Sequence, residues 1–375
     1  MGQRFTTIAA LLTMGWGWSI ALGSATQAQS FKTIGRGIAS CPQVSGLAQE
    51  HAQLALPVES ALCLWDISPE THLGKPSLST LGNKQSLDGL YTNNLDAASD
   101  LQAGLQAYQQ RDFETAQRFL ISALQHDPGM GMGYYLLGNV YFQKGHAGDA
   151  ITAYQSAVSL EPRMTAAYYN LGLALLRQGN LNAAASQFER VTFLEPELPT
   201  GHYNLALTLD NLGQDDAASL IYREVIRLDP DFARAYYNLG LIVNQGGEAA
   251  EALVLFNEAI RADPNLAAAH YQAGLIYSQQ GDLEQALDSL GVATTLEPEN
   301  AQAQYNLGVV YAELGKYKAA EKRFELALSL DPDNASAYQQ VGAAQIERGN
   351  TQAAIQSLET ALRLIPDDPL THYNL

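Results

Sequence analysis

The chain has 375 residues, 47% of them apolar and 16% charged, with a formal net charge of −18. That apolar share is ample for a packed interior and excludes intrinsic disorder for most of the length. The charge argues against nucleic acid as a partner, because 33 acidic residues against 16 basic ones between Ala97 and Leu375 repel a phosphate backbone.

At the start of the chain, residues 1–28 read as a signal peptide. Arg4 supplies a positive charge, and Ile8 to Leu22 is mostly apolar. Thr26 and Ala28, or Gly23 and Ala25, then form a small-residue cleavage site. The apolar run is interrupted by Gly15, Gly17 and Ser19 and is short for a hydrocarbon core of about 30 Å. The expectation is an exported chain, periplasmic or secreted, beginning near Gln29 and without a membrane span once the signal is removed. An uncleaved anchor is the alternative. Ile38-Ala39-Ser40-Cys41 has the form of a lipoprotein cleavage box, but Lys32 and Arg36 separate it from the apolar run. In an oxidising compartment Cys41 and Cys63 are expected to form a disulfide, and closing that loop is worth about 3 kcal/mol. Two unpaired thiols are the other reading. Residues 29–96 show no repeat. Val44 to Ile67 suits one or two short helices broken at Pro57, and Gly74 to Tyr91 reads as linker.

From Ala97 onward a period takes over. Proline recurs at 128, 162, 196, 230, 264, 298, 332 and 366, always 34 residues apart. Placing that proline at position 32 divides residues 97–368 into eight repeats. Position 20 is then alanine throughout, from Ala116 to Ala354, and position 8 is glycine from Gly104 to Gly342 except for Ala206. Small residues there predict close helix–helix approach. Position 15 is glycine from Gly145 to Gly349, where a first helix must end in a left-handed conformation. Apolar residues at positions 4, 7, 8, 11, 20, 24 and 27 keep helical spacing. In the third repeat they are Tyr168, Leu171, Gly172, Leu175, Ala184, Phe188 and Val191. One such hairpin cannot bury both faces of its helices, so neighbours must stack.

In Tyr134-Tyr135-Leu136-Leu137-Gly138-Asn139-Val140-Tyr141, completed by Ala150, Tyr154, Ala157 and Pro162, the chain resembles the tetratricopeptide repeat. The resemblance implies an all-α fold, a right-handed superhelical solenoid of antiparallel helix hairpins. The terminal repeats depart from the pattern, as ends that meet water should. Asp100, Ala107 and Arg111 stand at positions 4, 11 and 15 of the first, and Gln345 at position 11 of the eighth. Residues 369–375 match Pro199 to Leu205 and begin a ninth repeat, either truncated or serving as a stunted cap.

No phosphate-binding glycine loop, HExxH, CxxC or GxSxG pattern is present, so no enzyme, cofactor or metal is expected. His202, His270 and His372 share position 4 of different repeats and read as packing residues, not metal ligands. Lys316, Lys318, Lys322 and Arg323 read as a solvated face. In the family, first helices line a concave groove with positions 2, 5, 6, 9, 12 and 13. The resemblance therefore implies a peptide-binding surface with Tyr135, Tyr169, Tyr203, Tyr237, Tyr271 and Tyr305 at position 5. Position 6 contributes Asn170, Asn204, Asn238, Gln272 and Asn306. Position 9 contributes Leu173, Leu207 and Leu241, a column that continues in Leu275 and Val309. Tyrosine offers contact area with little rotamer entropy to lose, and an amide both donates to and accepts from a peptide backbone. The position-6 amides are expected to face out of the helix stack. A clamp for a partner's C-terminal carboxylate is not expected, since only Arg234 supplies a cation at positions 2, 5, 6 or 9. The function expected is a protein–protein interaction scaffold of the cell envelope that holds extended segments of partner proteins. The alternative is a self-associating module that stacks through its open C-terminal end.

Overall fold

The computed structural model describes residues 92–375. The signal-like stretch 1–28, the Cys41–Cys63 pair and the rest of the chain up to residue 91 lie outside the described residues. What is described falls into two compact units, 92–228 and Asp229–Leu375. The first contains α1 (Leu95–Gln109), α2 (Phe113–His126), α3 (Gly131–Gln143), α4 (Ala147–Leu160), α5 (Thr165–Arg177), α6 (Leu181–Leu194), α7 (Pro199–Asn211) and α8 (Asp215–Leu228). The second contains α9 (Ala233–Gln245), α10 (Ala249–Ala262), α11 (Ala267–Gln280), α12 (Leu283–Leu296), α13 (Ala301–Glu313), α14 (Tyr317–Leu330), α15 (Ala335–Glu347), α16 (Thr351–Leu364) and the short α17 (Pro369–Asn374).

Within each unit the two helices of a repeat pack on one another, and each second helix also packs on the first helix that follows it. First helices touch first helices one repeat on, which leaves the second helices as an outer row. This is the all-α hairpin solenoid that the period predicts. The small residues explain how the hairpins close. A Cβ on Gly138, Gly172, Gly240 or Gly308 would come within 2.6–2.8 Å of the ring of Tyr154, Phe188, Phe256 or Phe324 respectively. Position 8 is thus the floor on which the position-24 ring lies. The alanines at position 20 are 0 or 1% exposed, at the closest approach of the two helices. Each first helix stops at its position-15 glycine, with φ between 70° and 88° from Gly145 to Gly349. In the first repeat Arg111 takes that place at φ 59°, a conformation that strains a side-chain-bearing residue.

The eighth repeat differs from expectation. Gln345 does not meet water; it is 7% exposed. Its Nε2 donates to Glu321 Oε1 at 2.9 Å, and its Oε1 accepts from Ser357 Oγ at 3.0 Å. Glu321 is also ion-paired with Arg348. A buried polar knot therefore stands beside the apolar packing of Ala320 and Phe324 on Val341 between α14 and α15.

Candidate interaction surface

The first-helix residues divide into those that hold the stack together and those left open on its face. Tyrosines at position 5 belong mainly to the first group. Each lies against the position-24 ring of its own repeat: Tyr135 on Tyr154 (centroids 6.2 Å apart), Tyr169 on Phe188 (5.8 Å), Tyr203 on Tyr222 (6.0 Å), Tyr237 on Phe256 (5.9 Å) and Tyr305 on Phe324 (5.6 Å). Tyr271 has no such partner ring, because Leu290 takes position 24 there. Burial raises the hydroxyl pKa of Tyr135 and Tyr271 and pushes that of Tyr305 up to about 12.

The amides at position 6 do not face out of the stack, and the sequence reading is corrected here. Asn170 and Asn204 are 4% exposed, Gln272 8% and Asn238 9%, while Asn306 and Gln340, at the same position of the next two repeats, are half-buried. Their donors reach back one repeat to the tyrosine hydroxyls. Asn204 Nδ2 donates to Tyr169 Oη at 2.6 Å, Asn306 Nδ2 to Tyr271 Oη at 2.9 Å, and Asn170 Nδ2 to Tyr135 Oη at 3.4 Å. Asn170 Nδ2 also donates to Asn139 Oδ1 at 2.8 Å, the atom that accepts from Tyr154 Oη at 2.8 Å. These bonds form an internal ladder between hairpins. The sequence held a signal for it: tyrosine at 5 and an amide at 6 always stand 35 residues apart across a repeat boundary.

The position-9 column behaves differently in the two units. In 92–228 it is closed from the second repeat on, where Asn139, Leu173 and Leu207 are 4%, 2% and 5% exposed; Leu105 of the first repeat is half-buried. Large side chains at position 12, Phe142 and Leu176, are themselves buried and fill the space beside it, with the Arg177 guanidinium 5.5 Å over the Phe142 ring. In Asp229–Leu375, Leu241, Leu275 and Val309 are half-buried. Position 12 there holds the smaller Asn244, Ser278 and Ala312. An apolar lane flanked by the half-buried Tyr271, Tyr305, Asn306 and Gln340 is left open. Gln340 Oε1 is buried and has no hydrogen-bond partner among the described residues. Burial raises the pKa of Glu313 at the lane's edge.

The histidines at position 4 do more than pack. Nε2 of His202, His270 and His372 bonds to the carbonyl oxygen of Pro196, Pro264 and Pro366 at 2.8, 3.0 and 2.8 Å. A carbonyl only accepts, so Nε2 carries the proton. Gln304 makes the equivalent bond to the Pro298 carbonyl at 3.1 Å. Position 4 is therefore a clasp on the preceding loop. No cluster of metal-binding side chains occurs among the described residues. No helix among them is long and apolar enough to cross a membrane.

Sequence profiles of the tetratricopeptide repeat match residues 101–158, 135–199, 203–267, 255–288, 274–315 and 299–367. The chain belongs to the tetratricopeptide-repeat family. No curated protein sequence matches it. Among solved structures it is similar to YrrB, described as a TPR protein with an unusual peptide-binding site (24% identity over 50% of this chain and 97% of YrrB, TM-score 0.48). It is similar also to MamA (28% identity, 46% of this chain and 94% of MamA, TM-score 0.43). A third is PilF of Pseudomonas aeruginosa (19% identity, 56% of this chain and 95% of PilF, TM-score 0.48). Tetratricopeptide repeats are protein–protein interaction modules and generally non-catalytic, and no enzyme family is indicated.

Proposed function

We propose that the chain is an interaction scaffold whose binding surface for extended partner segments is the first-helix face of Asp229–Leu375. The observation that carries this is the open apolar lane of Leu241, Leu275 and Val309, walled by the half-buried Tyr271, Tyr305 and Asn306. Apolar side chains of a partner would rest on the lane, while the half-buried Asn306 and Gln340 would meet its backbone and the buried Gln272 would support them. Tyr237, Tyr271 and Tyr305 give the lane stiff walls, so little rotamer entropy is lost on binding. In 92–228 the corresponding residues (Tyr135, Tyr169, Asn170, Leu173, Tyr203, Asn204 and Leu207) act in this reading as the supporting ladder.

The test is selection of binders from a random displayed peptide library on the full chain, followed by titration against Leu275→Glu/Val309→Glu. Selected peptides should bind the double variant at least about tenfold more weakly, a difference of 1.4 kcal/mol. Its helical circular dichroism should remain unchanged. A Leu173→Ala/Leu207→Ala control destabilises the fold but should leave affinity intact at temperatures where it stays folded. Equal affinity for Leu275→Glu/Val309→Glu and the parent chain would place binding elsewhere.

We further propose that this scaffold works in the cell envelope. Supporting that reading are Arg4, the apolar stretch Ile8 to Leu22 and the small residues at 26 and 28, and an oxidising envelope would join Cys41 to Cys63. Intact mass of the native protein, with and without reductant, tests both. A chain starting near Gln29 that gains two hydrogens on reduction is the expected outcome; a full-length cytosolic chain with free thiols overturns it.

A further inference from the structure

We propose that the outer face of α12 and α14 is a two-fold, self-complementary contact through which two copies of this chain associate. The argument starts from charge placement. Asp229–Leu375 holds 20 acidic and 8 basic residues, yet four of those bases, Lys316, Lys318, Lys322 and Arg323, lie within eight consecutive residues. On the neighbouring second helix the same repeat positions are acidic. Position 18 is Glu284 on α12 and Lys318 on α14, and position 22 is Asp288 and Lys322. Position 26 follows on the same helical face one turn later and is apolar in both, Val292 and Leu326.

All six side chains are exposed, with Val292 at 40% and Leu326 at 38%. None of the four charged ones has a side-chain hydrogen bond or ion pair among the described residues. Second helices form the outer row of the unit, so nothing in the repeat stacking covers this face.

An acidic stripe beside a basic stripe has a specific geometric consequence. A two-fold axis lying between the helices and parallel to them carries α12 of one copy onto α14 of the other. Equal repeat positions then face each other. Glu284 meets Lys318, Asp288 meets Lys322 and Val292 meets Leu326, each twice. An axis across the helices would instead set acid on acid and base on base, which like-charge repulsion disfavours. The face commits to one occupant, a second copy, and to one arrangement of it. Four exposed ion pairs around a small apolar centre make a weak, salt-sensitive contact. It is separate from the C-terminal end and from the first-helix lane.

Sedimentation equilibrium of the full mature chain at about 50 mM and about 500 mM salt reads the association, which should weaken at the higher salt. Lys318→Glu/Lys322→Glu makes both stripes acidic, and Glu284→Lys/Asp288→Lys makes both basic. Each variant alone should self-associate at least about tenfold more weakly than the parent chain. Mixed in equal amounts, the two should form a heterodimer, and the chain carrying all four reversals should regain self-association. Circular dichroism checks that these exposed changes leave the fold intact. The Leu275→Glu/Val309→Glu variant should dimerise like the parent, so failure of the lane and failure of this contact are separable. A parent chain that stays monomeric at low salt overturns the proposal. So does association indifferent to either reversal, or a mixture that fails to pair.

Discussion

The two units are built from the same 34-residue period and put it to different uses. In 92–228 the buried apolar residues form two large clusters, Ala97 to Val140 on α1 to α3 and Phe142 through Leu173 and Phe188 to Leu205 on α3 to α7. In Asp229–Leu375 the buried apolar residues fall into smaller clusters, Tyr237 to Ile276, Ala286 to Val310 and Ala312 to Val341. The cause is local. Phe142 and Leu176 at position 12 join the core in the first unit, where Asn244 and Ser278 cannot in the second. Filling that position closes the first-helix face and lengthens the cooperative core. Leaving it small opens the face and shortens the core. In one repeat design, open apolar surface and cohesion compete for the same positions.

The sharpest way to break this comparison is to delete one ring in each unit. Phe188→Ala and Phe324→Ala each remove a fully buried side chain and should cost about 3–5 kcal/mol. In urea, Phe188→Ala should shift a transition that still unfolds α3 to α7 together. Phe324→Ala should instead split off an early step confined to α13–α16, visible as faster amide exchange there. Identical single transitions for both would show that the units are equally cohesive.

A smaller effect distinguishes the amides. Asn170 is buried and bonded to Asn139 Oδ1, so Asn170→Ala should cost about 1–3 kcal/mol. Asn306 is half-buried, and water can replace its bond to Tyr271. Asn306→Ala should cost about 0.5–1.5 kcal/mol, read from thermal melts. The reverse order would mean that the second-unit ladder is the tighter one.

These amides also mark where the sequence was readable. Helix number, hairpin pairing and the left-handed glycines follow from period alone, because Gly145, Ala150 and Pro162 each answer a local steric demand that repeats. The direction of a side chain within the stack does not. Asn170, Asn204 and Asn238 share one position, yet whether it is open depends on the tyrosine one repeat earlier and the position-12 residue beside it. Only the assembled helices bring those together. Gln345 misled for the same reason, since its partners Glu321 and Ser357 lie in two other helices.

Alkali gives the third test, one tyrosine per unit. Burial pushes Tyr108 in the first unit and Tyr305 in the second up to about 12. A hydroxyl pKa raised above its unfolded value of about 10 contributes stability that is complete below pH 10. That contribution is lost as pH rises toward 12. Absorbance of ionised tyrosine should lag behind that of the unfolded chain in this window, and Tyr305→Phe should lessen the loss of stability there. Ionisation of every tyrosine near pH 10 with the helices intact would contradict the burial of position 5.

The smallest effect concerns two carboxyls raised by burial, Glu161 in the first unit and Glu313 in the second. Each folded pKa lies above the unfolded one, so ionisation disfavours the fold as pH rises through that interval. Glu161→Gln and Glu313→Gln should therefore raise the melting temperature slightly at pH 7 and leave it unchanged well below the ordinary carboxylate range. A lower melting temperature at pH 7 would show that the charge is being used, for Glu313 most simply by a ligand in the lane.

The clasp between position 4 and the preceding proline has a consequence for descent. His202 holds Pro196, His270 holds Pro264, Gln304 holds Pro298 and His372 holds Pro366, always six residues apart across the joint between one repeat and the next. The tyrosine–amide bonds obey a fixed spacing of 35 in the same way. A gene that gains or loses one whole copy by unequal crossing-over therefore carries each position-4 donor to another proline carbonyl and, among repeats with tyrosine at position 5, each position-6 amide to another tyrosine hydroxyl. The array can lengthen or shorten in a single event while both kinds of bond between repeats persist. Changes confined to positions 12 or 22 can then specialise each copy afterwards.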